Sequence, residues 1–239
     1  MRALAIVHQR DAGPGVFADA IRARGVELES WLVAEQASPS RDPGDYDAVL
    51  SLGGAMHTDH ENRHPWLRRE KALLAELLER GVPLLGVCLG AQLLAEAAGA
   101  PARRASEPEI GWYDVEVAPE ASDDPLMAPL APRFEAFEWH SYECDLPESA
   151  IVLARSPVCV QAYRYGPAAW GIQFHAEVSQ RIVSSWFDDY QTDPDAIAIG
   201  LDPERAKAES EERIGRWNGI GRGICARFLE VAAAAPSRP

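Results

Sequence analysis

The chain predicts an α/β fold: a doubly wound, mostly parallel sheet with an antiparallel extension at one edge, followed by C-terminal helices. Three observations predict it. Through the first hundred residues short apolar runs alternate with segments of helical period, the pattern of parallel strands joined by crossover helices. From about 110 to 175 the helical period gives way to closely spaced strand candidates, which must pair in antiparallel or mixed fashion because no crossover separates them. Helical spacing returns at 178–190 and continues, in more polar form, toward the C-terminus.

Taken in order, "ALAIV" (3–7) reads as a buried strand, "GVFADAIRARG" (15–25) as an amphipathic helix closed by Gly25, and "VELESWLV" (26–33) as a second strand. A Ser/Pro/Gly/Asp-rich loop (38–47) leads to the strand "AVLSL" (48–52), which ends at Gly53 and Gly54. The stretch "PWLRREKALLAELLERG" (65–81) has Pro65 at its start, Gly81 at its end and leucines at helical spacing. "PLLGV" (83–87) is all apolar, as in a strand buried on both faces, and strong helix formers follow at 91–100. The strand candidates of the second half are "WYDVEV", "FEAFEWH", "IVLARS", "VCVQAYRY" and "AAWGIQFH". Ile182, Val183, Trp186 and Phe187 form one stripe on the helix expected at 178–190. This places a first domain at 1–190 and a helical extension at 191–239, the latter read as two helices meeting near Asn218 and Gly219 with a frayed "PSRP" tail.

Composition narrows the function. At 239 residues with 47% hydrophobic and 25% charged residues, the chain is long enough for one substantial core and is not disordered. A net charge of −14 makes the whole-molecule field repel phosphates, so neither nucleic acid nor an anionic membrane is an expected partner. The apolar start "ALAIV" is too short for a signal peptide, and no apolar run reaches the ~18 residues of a membrane helix. Cys88, Cys144, Cys159 and Cys225 are scattered without a C-x-x-C pair, which predicts no zinc site or disulfide framework and suits the cytoplasm.

The segment "GVCLGAQ" (86–92) sets Cys88 in a Gly-x-Cys-x-Gly frame at a strand-to-helix corner. Such a corner exposes its central side chain at the carboxyl edge of the sheet, and a helix N-terminus stabilises a thiolate and a neighbouring oxyanion. A nucleophile belongs there; a small buried residue with two packing glycines is the bland alternative. A base decides between them. In "WGIQFHAEVS" (170–179), His175 stands two residues before Glu177 at a strand end. In extended backbone both side chains point the same way, which lets the carboxylate orient the imidazole. A core histidine and a first-turn acid would be the structural alternative.

Taken together, these segments resemble the class I, triad-type glutamine amidotransferases, in particular stand-alone domains similar to the amidotransferase half of GMP synthetase. "GVCLGAQ", "SLGGAM" (51–56) and "GIQFHAE" (171–177) match that family's nucleophile, oxyanion-loop and His-Glu segments in the family's order. The resemblance implies a flavodoxin-like sheet with Cys88 as nucleophile, His175 as base and Glu177 as its orienter. It implies oxyanion donors at the N–H groups of Gly54 and Leu89, and substrate contacts from Gly53, Met56, Gln92, Ser141 and Tyr142. No cofactor and no metal are implied. The substrate would be glutamine or a γ-glutamyl compound, with ammonia passing to a separate synthetase, since the chain has no Walker-type phosphate loop. Two positions depart from the family's pattern: Ala176 stands between His and Glu, and Ala55 follows the Gly pair, where proline is common in both.

Three other readings use the same residues: a stand-alone γ-glutamyl hydrolase, a catalytically silent binding module, and a more remote thiol protein of the DJ-1-like kind. His57, His60 and His64 lack the regular spacing of a zinc helix and read as a loop rimming the substrate. His140 in "EWHSY" (138–142) reads equally as a substrate-site residue or as packing beside Trp139. Arg68, Arg69 and Lys71 alternate with acids and read as a solvated helix face.

Overall fold

The computed structural model describes residues 1–235. Nine strands form its sheet: β1 (Arg2–Val7), β2 (Glu27–Leu32), β3 (Ala48–Ser51), β4 (Leu84–Val87), β5 (Ala102–Val117), β6 (Arg133–Cys144), β7 (Ile151–Arg155), β8 (Val160–Tyr165) and β9 (Ala169–Ile172). The α-helices are α1 (Gly15–Ala23), α2 (Trp66–Glu79), α3 (Leu89–Ala97), α4 (Gln180–Asp188), α5 (Pro194–Ala198) and α6 (Pro203–Ala234).

The strand order is β2-β1-β3-β4-β9-β8-β7-β5-β6. The first five are parallel and the remaining pairs antiparallel, so the doubly wound sheet with an antiparallel extension is the observed architecture. Alternation along each central strand shows why both faces must be covered. On β1, Ala3, Ala5 and Val7 face one apolar cluster and Leu4 and Ile6 the other. One cluster holds Phe17 and Ile21 of α1, Val183 and Phe187 of α4, and Trp217, Ile224 and Phe228 of α6. The opposite cluster holds Leu67, Leu74 and Leu77 of α2 and Leu93 and Leu94 of α3. Gly25 and Gly81 follow their helices with φ of 65° and 66°, the left-handed stop that glycine adopts without a Cβ penalty.

Three elements differ from the sequence reading. β5 begins ten residues earlier than "WYDVEV" because residues 102–111, charged and interrupted by Pro108, pair with β6 through a register shift between Arg104 and Glu109. A short helix, α5, starts at Pro194 under the Asp193 cap, whose carboxylate accepts from the Asp195 and Ala196 amides. The expected pair of C-terminal helices is one uninterrupted helix through Asn218 and Gly219. Packing accounts for this: Trp217 is fully buried, the Asn218 side chain donates to the Val178 carbonyl at 2.7 Å, and Gly221 lies where any Cβ would be 1.9 Å from the Ala176 carbonyl oxygen. Tertiary contacts here outweigh the roughly 1 kcal/mol that a mid-helix glycine costs. The "PSRP" tail lies outside the described residues. Among those described, no helix is long and apolar enough to cross a membrane.

Trp217 touches Trp112, Phe134 and Phe174 with ring centroids 5.7–6.2 Å away, and its indole N–H donates to the His175 carbonyl at 2.8 Å. Trp217→Ala is therefore expected to destabilise the protein by about 3–5 kcal/mol in urea unfolding. A loss below about 1 kcal/mol would place α6 outside the cooperative core.

Candidate active site

Cys88 sits at the junction of β4 and α3 with φ 51°, the sole non-glycine residue with positive φ among those described. Its N–H donates to the Ile172 carbonyl of β9 at 2.8 Å, and the Gly90 N–H donates to Leu52 at 3.1 Å. The flanking glycines are required by contact. A Cβ on Gly90 would be 2.0 Å from the Ser51 carbonyl oxygen, and one on Gly86 would be 2.6 Å from that of Gly90. The corner thus projects the thiol over the carboxyl ends of β3, β4 and β9, and Cys88 lines the cavity there.

His175 follows β9 in a bent segment rather than in extended strand, so the i, i+2 argument from extended backbone does not describe it. The bend nonetheless brings the Glu177 carboxylate to 2.8 Å from His175 Nδ1, with both residues buried. Burial opposes a charged ring, but Glu177 on one side and Cys88 on the other more than offset it, and the imidazole pKa is raised well above its usual value. The backbone of this bend is gripped from two helices. Carbonyls of His175 and Val178 accept from Trp217 and Asn218 of α6, and that of Glu177 accepts from the Val16 amide of α1 at 2.8 Å. Gly15, like Gly221, leaves no room for a Cβ, which would be 1.9 Å from the Glu177 carbonyl oxygen.

A cavity of about 460 Å³ opens above these groups. Gly54, Met56, Leu89, Gln92, Ser141 and Tyr142 line it with Cys88 and His175. Leu89 is the first residue of α3, where the amide has no partner within the helix. Gln92 donates from Nε2 to the Tyr142 carbonyl at 3.0 Å and to Gln173 Oε1 at 3.1 Å, fixing the end of β6 against α3. Gly53 is not in the lining; a Cβ there would be 2.7 Å from His175 Cε1 and 3.6 Å from Cys88 Cβ, so it acts as a floor beneath both. His57 stacks on Tyr142 at 4.0 Å on the rim.

His140 is neither a strand-end residue nor exposed. It lies within β6, with Nδ1 donating to the Tyr142 carbonyl at 3.0 Å and Nε2 at 3.2 Å and 3.4 Å from the carboxylates of Glu109 and Glu138. Burial lowers the His140 pKa, but the two carboxylates more than reverse this and push it up to about 10; burial raises that of Glu138 to about 7. Glu109, His140 and Cys159 are the one group of potential metal ligands gathered within 4.8 Å among the described residues. Glu109 Oε2 already accepts from Gln161 at 2.8 Å and Ser156 at 3.0 Å, and burial holds the Cys159 thiol protonated. The group reads as a buried cluster of ion-paired side chains between β5, β6 and β8, since a thiol must ionise to ligate a metal.

The model of the family "Glutamine amidotransferase class-I" matches residues 15–185. The chain belongs to this family. A glutamine amidotransferase-like protein of Salmonella typhimurium, YfeJ, is 29% identical over 77% of this chain and 78% of its own. One of the subunits of the glutamine-hydrolysing GMP synthase of Ignicoccus hospitalis is 35% identical over 59% of this chain and 71% of its own. The crystal structure of a Thermotoga maritima glutamine amidotransferase superposes with a TM-score of 0.87 at 31% identity, covering 96% of this chain and 98% of that one.

In this amidotransferase the cavity has walls that sequence reasoning passed over. Arg104 pairs with Asp195, Trp139 donates to Asp193 at 2.8 Å, and Trp186 meets the His175 ring edge-on at 4.8 Å. Arg104 and Asp195 sit in segments with no periodic signal, and only the Asp-Pro pair at 193–194 marks a helix start. Arg68, Arg69 and Lys71 are on the outside of α2, with Lys71 held by Glu61 and Glu96, whereas Glu70 between them is fully buried against His8.

Burial pushes the Cys144 and Cys225 thiols up to about 12, and raises Cys159 as well; of the four, only Cys88 lines the cavity, beside the His175 imidazole. Brief exposure to iodoacetamide near neutral pH is expected to label Cys88 and spare the other three by peptide mass spectrometry. Comparable labelling of Cys159 would contradict this assignment of reactivity.

Proposed function

We propose that the protein hydrolyses the side-chain amide of glutamine through a γ-glutamyl thioester on Cys88 and releases ammonia. The observation that carries this reading is the Cys88 turn, whose thiol shares a cavity with an imidazole hydrogen-bonded to Glu177 at 2.8 Å. His175 takes the Cys88 proton as sulfur attacks the amide carbon, and Glu177 stabilises the imidazolium that forms. The amide oxygen becomes an oxyanion and is held by the N–H groups of Gly54 and Leu89. His175 then returns the proton to the leaving nitrogen, the C–N bond breaks, and ammonia departs. Water, deprotonated by the same imidazole, cleaves the thioester to give glutamate and the free thiol. Met56, Gln92, Ser141 and Tyr142 hold the rest of the γ-glutamyl group, with Gly53 supporting His175 from below.

By its likeness to one subunit of a glutamine-hydrolysing synthase, the domain passes ammonia to a separate synthetase, and its four free cysteines suit the cytoplasm. The cavity supports a second reading. Its volume of about 460 Å³ lies within the range of sites for drug-sized ligands, with room beyond the five-carbon skeleton of glutamine for the leaving amine of a γ-glutamyl dipeptide.

Ammonia and glutamate release from L-glutamine, with γ-glutamyl dipeptides in parallel, tests both readings. Wild-type turnover that falls by at least about 10³-fold in Cys88→Ala is expected. Cleavage of dipeptides alone would identify a γ-glutamyl hydrolase. Equal activity in wild type and Cys88→Ala would overturn both.

A further inference from the structure

Behind the Gly53–Gly54 corner lies a second buried histidine that the chemistry above does not use. His8, at the end of β1, is sealed from solvent with Glu70 of α2. Its Nε2 is 2.8 Å from Glu70 Oε2 and its Nδ1 is 3.1 Å from the Gly53 carbonyl oxygen. The Gly53 carbonyl only accepts, so Nδ1 carries a proton and donates to it, and Nε2 meets the Glu70 carboxyl group in an arrangement that favours a charged ring. Burial disfavours that charge, and Glu70 with the Gly53 and Leu52 carbonyls more than offsets the penalty, leaving the pKa raised. The ring cannot swing, because it stacks on Trp66 at 5.2 Å and 13°, and Glu70 is fixed from its other oxygen by Ser51 Oγ at 2.7 Å.

The Gly53–Gly54 bond is a trans peptide, and in a planar trans peptide the C=O and N–H point in opposite directions. A donor that fixes the Gly53 oxygen therefore fixes the direction of the Gly54 N–H, which points away from His8. Gly53 abuts His8 through its carbonyl, and His175 and Cys88 through its α-carbon. We propose that His8, held by Glu70, is a positioning residue that pins the Gly53–Gly54 peptide so that its N–H faces the reacting carbonyl above Cys88. This rests on the proposed function in taking the Gly54 N–H as an oxyanion donor. Such a clamp acts only where charge develops on the substrate oxygen, and not on the bound ground state.

The test uses the full chain with His8→Asn, His8→Gln and His8→Phe. An Asn amide nitrogen sits near the position of Nδ1 and a Gln amide nitrogen near that of Nε2, so Asn keeps the bond to Gly53 and Gln keeps the bond to Glu70. Expected in His8→Phe is a loss of kcat of about tenfold to a hundredfold with KM changed by less than about threefold. His8→Asn recovers most of this and His8→Gln does not. Glutamate γ-semialdehyde supplies a readout that mere loosening of the fold would not reproduce. Cys88 adds its S–H across the aldehyde: the S–C bond forms, the C=O π bond breaks, and the oxygen takes the proton and sits where the oxyanion would. Affinity for this probe should fall in His8→Phe in proportion to kcat/KM and return in His8→Asn. Equal losses in Asn and Gln, or unchanged probe affinity, would overturn the proposal.

If the wild type neither turns over substrate nor captures the aldehyde, the functional reading fails and the clamp is judged separately, on glycine-labelled protein by NMR. The Gly54 amide signal and its hydrogen exchange should then change in His8→Phe and stay near wild type in His8→Asn. No change in either variant would overturn the clamp. Should His8→Phe not fold, the comparison of His8→Asn with His8→Gln carries the same decision.

Discussion

The constraint on which the site depends is the backbone of Cys88. A non-glycine residue at φ 51° costs on the order of 1–3 kcal/mol, and it persists only where its surroundings leave no alternative. Here they leave none: the Cys88 amide is tied to β9, the Gly90 amide to the end of β3, and Gly90 presses on the Ser51 carbonyl with no room for a side chain. Three parallel strands are thereby locked at their carboxyl ends around one thiol. Ser51 also hydrogen-bonds Glu70, so the contact that forces the Cys88 turn is continuous with the support of the Gly53–Gly54 corner.

The opposite wall is held by a different device. Proline between His175 and Glu177 would restrict the backbone through its ring, and alanine at 176 does not. The rigidity comes instead from packing and hydrogen bonds along a run of consecutive carbonyls. His175 and Val178 accept from α6 side chains, Glu177 accepts from the α1 backbone, and the Ala176 carbonyl lies against Gly221. These bonds satisfy buried acceptors that would otherwise cost about 1–3 kcal/mol each. Of the four glycines in α6, Gly221 is the one the Ala176 carbonyl requires, and the bonds from Trp217 and Asn218 explain why the helix runs unbroken past Asn218 and Gly219.

What the sequence made legible follows the range of the forces concerned. β1, α1, β2, β3, α2, β4 and α3 were each located to within a few residues, because local period, caps and breakers decide them. The segments around Gly54 and Cys88 could be read because steep local turns need glycines at fixed offsets, and the one around His175 because an acid stands two residues on, although the backbone there is a bend and not an extended strand. The early half of β5 and the continuity of α6 depend on partners far away in the chain, so charged residues and glycines there gave the wrong local signal. The same limit hid Glu70, which sits among exposed charges on α2 yet faces inward to His8 across 62 positions of sequence. It also hid the surroundings of His140, since Glu109 meets it only when β5 and β6 pair, beside Glu138 two residues back on the same strand.

Three buried histidines therefore surround the cavity, each beside a carboxylate: His175 with Glu177, His8 with Glu70, and His140 with Glu109 and Glu138. Stability is a poor explanation for them, since removing charges from water costs several kcal/mol per ion and apolar replacements are often as stable. Direction is a better one. His8 fixes the Gly53 carbonyl, and His140 fixes that of Tyr142, which Gln92 also binds. In both cases a ring locked by an acid orients a peptide on the cavity wall, and under the proposed function one wall is thereby set for an oxyanion and the other for the remainder of the substrate. Only His175 turns its free side toward the thiol. A cavity whose walls are oriented before substrate enters does not need to reorganise as charge develops, and that is the condition under which backbone N–H groups stabilise a transition state most strongly.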